Sequence, residues 1–508
     1  MRSLTIFDTT LRDGDQAAGF AFFRRQKVQL AVLLGEAGVD AVEAGFPLSS
    51  RTEFDTCRDI VAALHGTQTA AALMCRAKRE EIAQTAALLG GNGILHLTLP
   101  VSDAHRVSLL GISRSELLKR VTETVGYASG LTERIEMGAE DASRADIDFL
   151  CEYIVTAIDA GAATINIADT LGILCPPATR SLIGTLKQRI DPFASGKTAL
   201  SIHCHNDYGL AAANTLAAIE AGCHQAEVTV CGIGERAGNA PLEEVAVNLF
   251  ARPDHYSVST NLKQERLAEL VRKFSCAAVL SSGPLKPFFG WNTNAHASGI
   301  HQKGLETSPH EYSSSALQAA FQECAGRPRR IVLSRHSGKA GIRLAASFCG
   351  IDNIDGKAVE TILQRLKDDE HQTLGITEFL VWLKESGLFP ADTAAPVTCN
   401  EIQVMQTDSA VEVEAVLSNQ TRITGSGSSL EFAVLSALQS VTEIGLALRF
   451  AAVEWTGLGG QYRLYAETVL PDREILAAER TGKVPGRLLL EIGLDAVNFY
   501  RTKNKQTR

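Results

Sequence analysis

The sequence predicts an α/β chain led by a closed TIM (β/α)8 barrel, followed by a mainly helical accessory region and a C-terminal α+β domain of regulatory type. Two patterns carry the barrel. Short β-rich runs alternate with Ala/Leu-rich helical stretches through eight cycles between residue 1 and about residue 265. Polar, chemistry-bearing residues recur where those runs end, which is where a barrel gathers its site. A third observation makes the open doubly wound sheet the runner-up: that fold needs a glycine-rich phosphate turn after its first strand, and TTLRDGDQ is not one.

In chain order the predicted strands are Leu4–Asp8, Ala41–Ala44, Gln68–Leu73, Ile94–Leu99, Arg134–Met137, Thr164–Ile167, Leu200–His205 and Ala226–Cys231. Between them lie helical spacings such as Arg25–Ala37 and Phe149–Ala160, the second stopped by Gly161 as a C-terminal cap. The barrel domain is read as residues 1–268 and the accessory region as 269–388, where Gly, Ser and Pro joints (Ser281–Pro287) lead into HASGIHQKG and SRHSGKAG. Pro, Ala, Asp and Thr cluster in a linker at Phe389–Thr398. From 399 to 508, EIQVMQTDSAVEVEAVL reads as two alternating strands, SSLEFAVLSALQSV as a Ser-capped helix, and LRFAAVEW, YRLYAETVL and RLLLEIGLDAVNFY as a partial repeat. A duplicated ββα unit suits either ligand-binding regulation or dimerisation.

The bulk properties exclude several classes. A net charge of −9 without a basic block leaves no electrostatic footprint for nucleic acid. No signal-peptide run opens the chain, and no stretch approaches the roughly 18 apolar residues of a membrane span, so a cytoplasmic protein is expected. The 11 cysteines are scattered without a CxxC pair, which fits buried thiols in a reducing compartment.

The chemistry concentrates at the predicted strand ends. In SIHCHNDYGLAAAN, His203 and His205 stand two apart on a strand and project to one face, while Cys204 points away. Paired imidazoles suit a divalent metal ion; the bland alternative is two polar residues on a wet strand end. Asp13, after the first strand, would add an oxygen ligand and leave positions open for substrate. Arg12 beside it offers a fixed cation to a developing negative charge, against the alternative of a structural ion pair. Glu43 ends the second strand, His96 lies in the fourth, Glu140 and Asp141 follow the fifth, and Asp169 and Thr170 follow the sixth. The glycine-rich GIGERAGN could be a simple turn, but its place above the barrel makes Asn239 a further ligand candidate. Two His plus oxygen donors accept several ions, so Zn, Mn and Mg all remain open.

FDTTLRDGDQ, EDASR, NIADTLG, HCHNDYGLAAANTLAAIEAG, GIGERAGNAPLEEV, HASGIHQKG and RHSGKAG resemble, in order and spacing, the 2-isopropylmalate synthase and homocitrate synthase family of acetyl-CoA-dependent acyltransferases. The resemblance implies a Claisen condensation of acetyl-CoA with a 2-oxo acid, followed by thioester hydrolysis. It implies Asp13, His203 and His205 as metal ligands with Asn239 alongside, and Arg12 on the developing alkoxide. Glu140 and His301 become the acid/base candidates, with Tyr312 nearby; on its residues alone His301 would be a loop histidine. His96 is placed near the oxo acid, and Thr170 joins it as a substrate contact.

The C-terminal domain resembles a leucine-binding regulatory domain, and a homodimer is implied. His96, His105 and Gln302 are similar to the 2-isopropylmalate enzymes, which take 3-methyl-2-oxobutanoate. GDQAAGFAF, PVSD and GAEDASRAD are similar to the homocitrate synthases of nitrogen fixation, which take 2-oxoglutarate. Citramalate synthase, a metal-dependent lyase on the same barrel and a non-catalytic relative are further readings. Glu136 stands where lysine-pathway homocitrate synthases carry an Arg for the distal carboxylate, and its charge would repel a dicarboxylate. Gly138 and Lys303 stand where the family usually has Ser and Asp.

Overall fold

A computed structural model describes residues 1–278 except 21 and 92, and beyond them chiefly 295–308, 330–348, 353–368, 399–406, 411–427, 430–439, 447–455, 462–469, 475–482 and 489–498. Two compact units result, Met1–Ala278 and Val279–Arg508.

The first unit is a closed parallel barrel whose eight strands follow one another in chain order. They are β1 (Thr5–Asp8), β2 (Ala41–Gly45), β3 (Ala70–Cys75), β4 (Ile94–Pro100), β5 (Ile135–Glu140), β6 (Thr164–Asp169), β7 (Ala199–Cys204) and β8 (Gln225–Val228). Closure comes from β8 pairing with β1, Thr5 opposite Gln225 through Asp8 opposite Val228. Every predicted strand is present, with two differences at the rim. His205 falls just past β7 and makes an isolated bridge with Asn239. The run predicted as strand through Cys231 ends at Val228, and Val230–Gly232 is a 3-10 turn with Cys231 at φ 60°. That turn swings the GIGERAGN loop back across the mouth.

Helices surround the strands, each set by caps and an apolar stripe. Ser50 opens Arg51–Leu64 by accepting from Glu53 N at 3.1 Å, and Asp146 opens Ile147–Asp159 by accepting from Phe149 N at 3.0 Å. In Ile147–Asp159 the residues Phe149, Leu150, Tyr153, Ile154 and Ala157 recur at helical spacing and are buried. Tyr153 carries its hydroxyl with it and donates to the Gly138 carbonyl of β5 at 2.9 Å. The helix Gln264–Ala278 packs against Arg24–Glu36, and residue 268 falls inside it.

In the second unit, helices Gly299–Thr307, Lys339–Phe348 and Gly356–Asp368 follow a short parallel pairing of Ala295–His296 with Arg330–Ile331. The linker expected at Phe389–Thr398 lies outside the described residues, as does Tyr312. The C-terminal repeat is βββα rather than ββα. Cys399–Gln406, Val411–Leu417 and Arg422–Gly427 form one antiparallel sheet, and Ala447–Trp455, Tyr462–Val469 and Ile475–Gly482 form another. Helix Leu430–Gln439 follows the first and helix 489–498 the second. Both third strands escaped the pattern because RITGSG reads as a turn and ILAAERTG as a helix. Gly425 in the first has a close-packing reason: a Cβ there would lie 2.2 Å from Ala433 O and Ala437 N of the helix. Among the described residues no helix is long and apolar enough to cross a membrane.

Candidate active site at the barrel mouth

Alternation along the strands turns every second residue into the barrel, and in most barrels those positions hold branched apolar side chains. Here they are largely polar, and they form two levels. The upper level begins where the chain leaves β1 in a tight turn, Asp13 N donating to Thr9 O at 2.8 Å, which presents Arg12 and Asp13 together. Arg12 Nη1 donates to Asp13 Oδ2 at 2.7 Å and Arg12 Nε to Glu43 Oε2 at 2.6 Å. Asp13 Oδ1 accepts from Asn239 Nδ2 at 2.9 Å. The GIGERAGN loop comes this close only because position 234 is glycine: a Cβ would lie 2.1 Å from Asn239 Nδ2 and 2.8 Å from Asp13 Oδ1.

His203 and His205 meet Asp13 from β7. Their Nε2 atoms are 3.2 Å apart, and His203 Nε2 is 3.8 Å from Asp13 Oδ2. One ligand atom from each of the three lies within 4.8 Å of the others. Burial pushes His203 down to about 4 despite the Asp13 carboxylate, and burial followed by the His203 neighbour brings His205 to about 4. Both are therefore neutral imidazoles near pH 7. Burial alone would raise the Asp13 carboxyl, but the Arg12 guanidinium, then His203, hold it well below the usual carboxylate range. Two neutral imidazoles, one ionised carboxylate and the buried, unpartnered Asn239 Oδ1 are the donor set that a divalent ion requires. These residues fit such an ion.

The lower level supports the upper. Glu43, fully buried, holds Arg12 on one oxygen and His96 Nδ1 at 2.7 Å on the other. Burial would lower His96, but Glu43 outweighs it and raises the imidazole to about 9, so His96 is a buried cation paired with Glu43. Glu227 Oε1 accepts from Asn166 Nδ2 at 2.6 Å, and its Oε2 is 2.8 Å from His203 Nδ1 but out of line for a hydrogen bond. Glu136 Oε1 accepts from Gln225 Nε2 at 2.8 Å. Burial first, then Glu227, pushes Glu136 up to about 8. It is therefore mostly protonated at neutral pH, which corrects the expectation that its charge repels a dicarboxylate.

The structure thus brings Arg12, Asp13, His203, His205 and Asn239 together, with His96 one level beneath. Glu140 ends β5 at the rim, half-buried, where His105 Nδ1 lies 2.9 Å from its Oε1. Thr170 Oγ1 accepts from Asp141 N at 2.9 Å. His301 is exposed on helix Gly299–Thr307 of the second unit. Sequence reasoning assigned no role to Glu227, Gln225 or Asn166 and none beyond position to Glu43. The signal was available: in AVEAG, TINIAD and QAEV the polar residues Glu43, Asn166, Gln225 and Glu227 stand at the inward register beside apolar neighbours.

A parallel barrel with Asp, two His and Asn at its mouth defines the class. The HMGL-like family model matches residues 3–273, and the chain belongs to that family, as an enzyme of the 2-isopropylmalate and homocitrate synthase group. The 2-isopropylmalate synthase of Sediminispirochaeta smaragdinae is 39% identical over 339 residues, 66% of each chain. The probable 2-isopropylmalate synthase of Methanopyrus kandleri is 38% identical over 363 residues, 72% of this chain and 69% of that one. Among solved structures, hydroxymethylglutaryl-CoA lyase of Pseudomonas aeruginosa gives a TM-score of 0.47 at 20% identity, covering 54% of this chain and 92% of that one.

Proposed function

We propose that the chain is a 2-isopropylmalate synthase, an acyltransferase that condenses acetyl-CoA with 3-methyl-2-oxobutanoate and then hydrolyses the thioester. The observation that carries the reading is the convergence of Asp13, His203, His205 and Asn239 beside Arg12, in a chain 39% identical to a relative of that name. The four side chains would hold a divalent ion, Zn, Mn or Mg, which when bound polarises the ketone of the 2-oxo acid. Arg12, kept charged by Asp13 and Glu43, would stabilise the alkoxide that forms as the ketone is attacked. Glu140 would take the proton from the acetyl methyl group, with His301 and Tyr312 completing the acid/base set, and His96 and Thr170 would contact the acceptor.

A branched monocarboxylate is favoured over 2-oxoglutarate because the lower level offers no spare cation. Among the described residues its one positive group is His96, already paired with Glu43, and Arg12 above it is paired with Asp13 and Glu43. A distal carboxylate entering there would find no free cation, an uncompensated burial of charge. Homocitrate synthase therefore stands second, on its similar sequence motifs. The C-terminal domain is proposed to bind leucine as an inhibitor, in a cytoplasmic homodimer.

The test is a steady-state assay of the purified, metal-loaded protein with each 2-oxo acid, following free CoA and repeated with leucine. Higher kcat/KM for 3-methyl-2-oxobutanoate is expected. A preference for 2-oxoglutarate overturns the acceptor assignment.

A further inference from the structure

His105, named so far only for its similarity to the 2-isopropylmalate enzymes, has no role assigned to it, yet the fold builds an elaborate support for it. It closes a single helical turn, Asp103–His105, that passes into a π-helical stretch, Arg106–Leu110. Such stretches are less favourable than α-helix and gather at functional sites. Ser102 caps the turn by accepting from His105 N at 3.1 Å. Ser102 also donates through its hydroxyl to Asp141 Oδ2, and Asp141 stands at φ 59° in the left-handed region that non-glycine residues avoid. Thr170 and Arg144 hold that strained residue in place, Arg144 Nε donating to Asp141 Oδ1 at 2.9 Å. Ser102, Asp141, Arg144 and Thr170 thus fix two things at once, the imidazole and the backbone direction of Glu140.

The imidazole and the carboxylate then meet. His105 Nδ1 lies 2.9 Å from Glu140 Oε1 and 3.8 Å from Asp141 Oδ2. An ionised carboxylate can only accept, so the nitrogen between the two carboxylates carries the hydrogen. Glu140 Oε1 is thereby occupied, and Oε2 bonds to no described residue. A half-exposed glutamate at a strand end would otherwise distribute itself over many rotamers.

We propose that His105 is a positioning residue: its Nδ1–H fixes Glu140 by one oxygen and so selects Oε2 as the base. This rests on the reading of Glu140 as the group that takes the acetyl methyl proton. In that step the proton passes from carbon to Oε2 and the electron pair of the C–H bond stays on the acetyl group as its enolate. The carboxylic acid so formed keeps its Oε1 bond to His105.

Three variants test it in the full-length, metal-loaded enzyme. Asn places an N–H donor about where the imidazole carries Nδ1, and Gln and Ala do not. His105→Ala should lower kcat ~10- to 100-fold with KM for the 2-oxo acid within about twofold of wild type. His105→Asn should recover most of that loss, and His105→Gln should not. Crystal structures of the Ala and Asn variants supply a readout that needs no turnover: Glu140 Oε1 leaves its position in the first and keeps it in the second. Unchanged kcat in His105→Ala, equal loss in His105→Asn and His105→Ala, or a stationary Glu140 in His105→Ala overturns the proposal. A wild-type protein that releases no CoA with any 2-oxo acid overturns the synthase reading instead, and the Glu140 positions still decide the role of His105.

Discussion

Glu136 has none of its surface exposed, and burial followed by the neighbouring Glu227 pushes its carboxyl from 4.5 up to about 8. A raised folded pKa means that the folded chain binds the extra proton between those two values. The stabilisation is complete below the unfolded value and is lost as pH rises through the folded one. Glu136→Gln removes the titration and keeps an acceptor for Gln225. Urea unfolding should therefore show the Gln variant gaining on wild type between pH 6 and pH 9, by about 2–4 kcal/mol at the upper end, since one pKa unit is about 1.4 kcal/mol. Parallel pH curves would mean that Glu136 carries its charge at all of these values. The same residue marks the limit of what the sequence discloses. His203 and His205 were legible because residues at i, i+2 on a strand project to one face. Glu136, Glu227 and Glu43 are single carboxyls in apolar runs, and only closure of the barrel places them around His96 and beneath His203.

Barrel strands and helices were legible because their periods differ: two residues along each strand, 3.6 along each helix. The strand ends were not, since they depend on long-range partners. β8 stops at Val228 because the chain turns to bring Asn239 against Asp13, a contact between residues far apart in sequence. Glycine misled the pattern in the C-terminal repeat, where Gly425 reads as a turn but sits in a strand. Its hydrogen leaves room for helix Leu430–Gln439 to lie on the sheet. Gly425→Ala would press a methyl group into the helix backbone, so about 2–4 kcal/mol should be lost from the C-terminal sheet. Thermal unfolding of the variant should show a lowered transition while the metal-binding capacity of the barrel is retained; an unchanged transition would mean that the helix does not pack there.

At the scale of the whole molecule, the proposed metal ligands all come from the first unit, whereas His301 and the proposed regulatory domain belong to the second. Two cores of the second unit share helix 489–498. Ala496 and Val497 of helix 489–498 join a core with Ile342, Val359, Ile362 and Leu380 of the accessory region, while Leu489, Leu490 and Ile492 join the core of the first C-terminal sheet. Leucine sensitivity is thus best measured on the intact chain, because truncation at 399 would open the accessory core. The order of motifs disclosed the family and the class of chemistry. The proposed choice of acceptor rests on which charges in the barrel are already paired, and that is a property of the closed fold.

The claim on which the account rests is that Asp13, His203 and His205 hold one divalent ion needed for turnover. Metal content and CoA release measured together on wild type and His203→Ala test it most directly. Wild type is expected to bind about one ion per chain and to lose activity on chelation, while the variant loses nearly all metal and nearly all turnover with the barrel still folded by circular dichroism. A His203→Ala protein that keeps both its metal and its activity would contradict it.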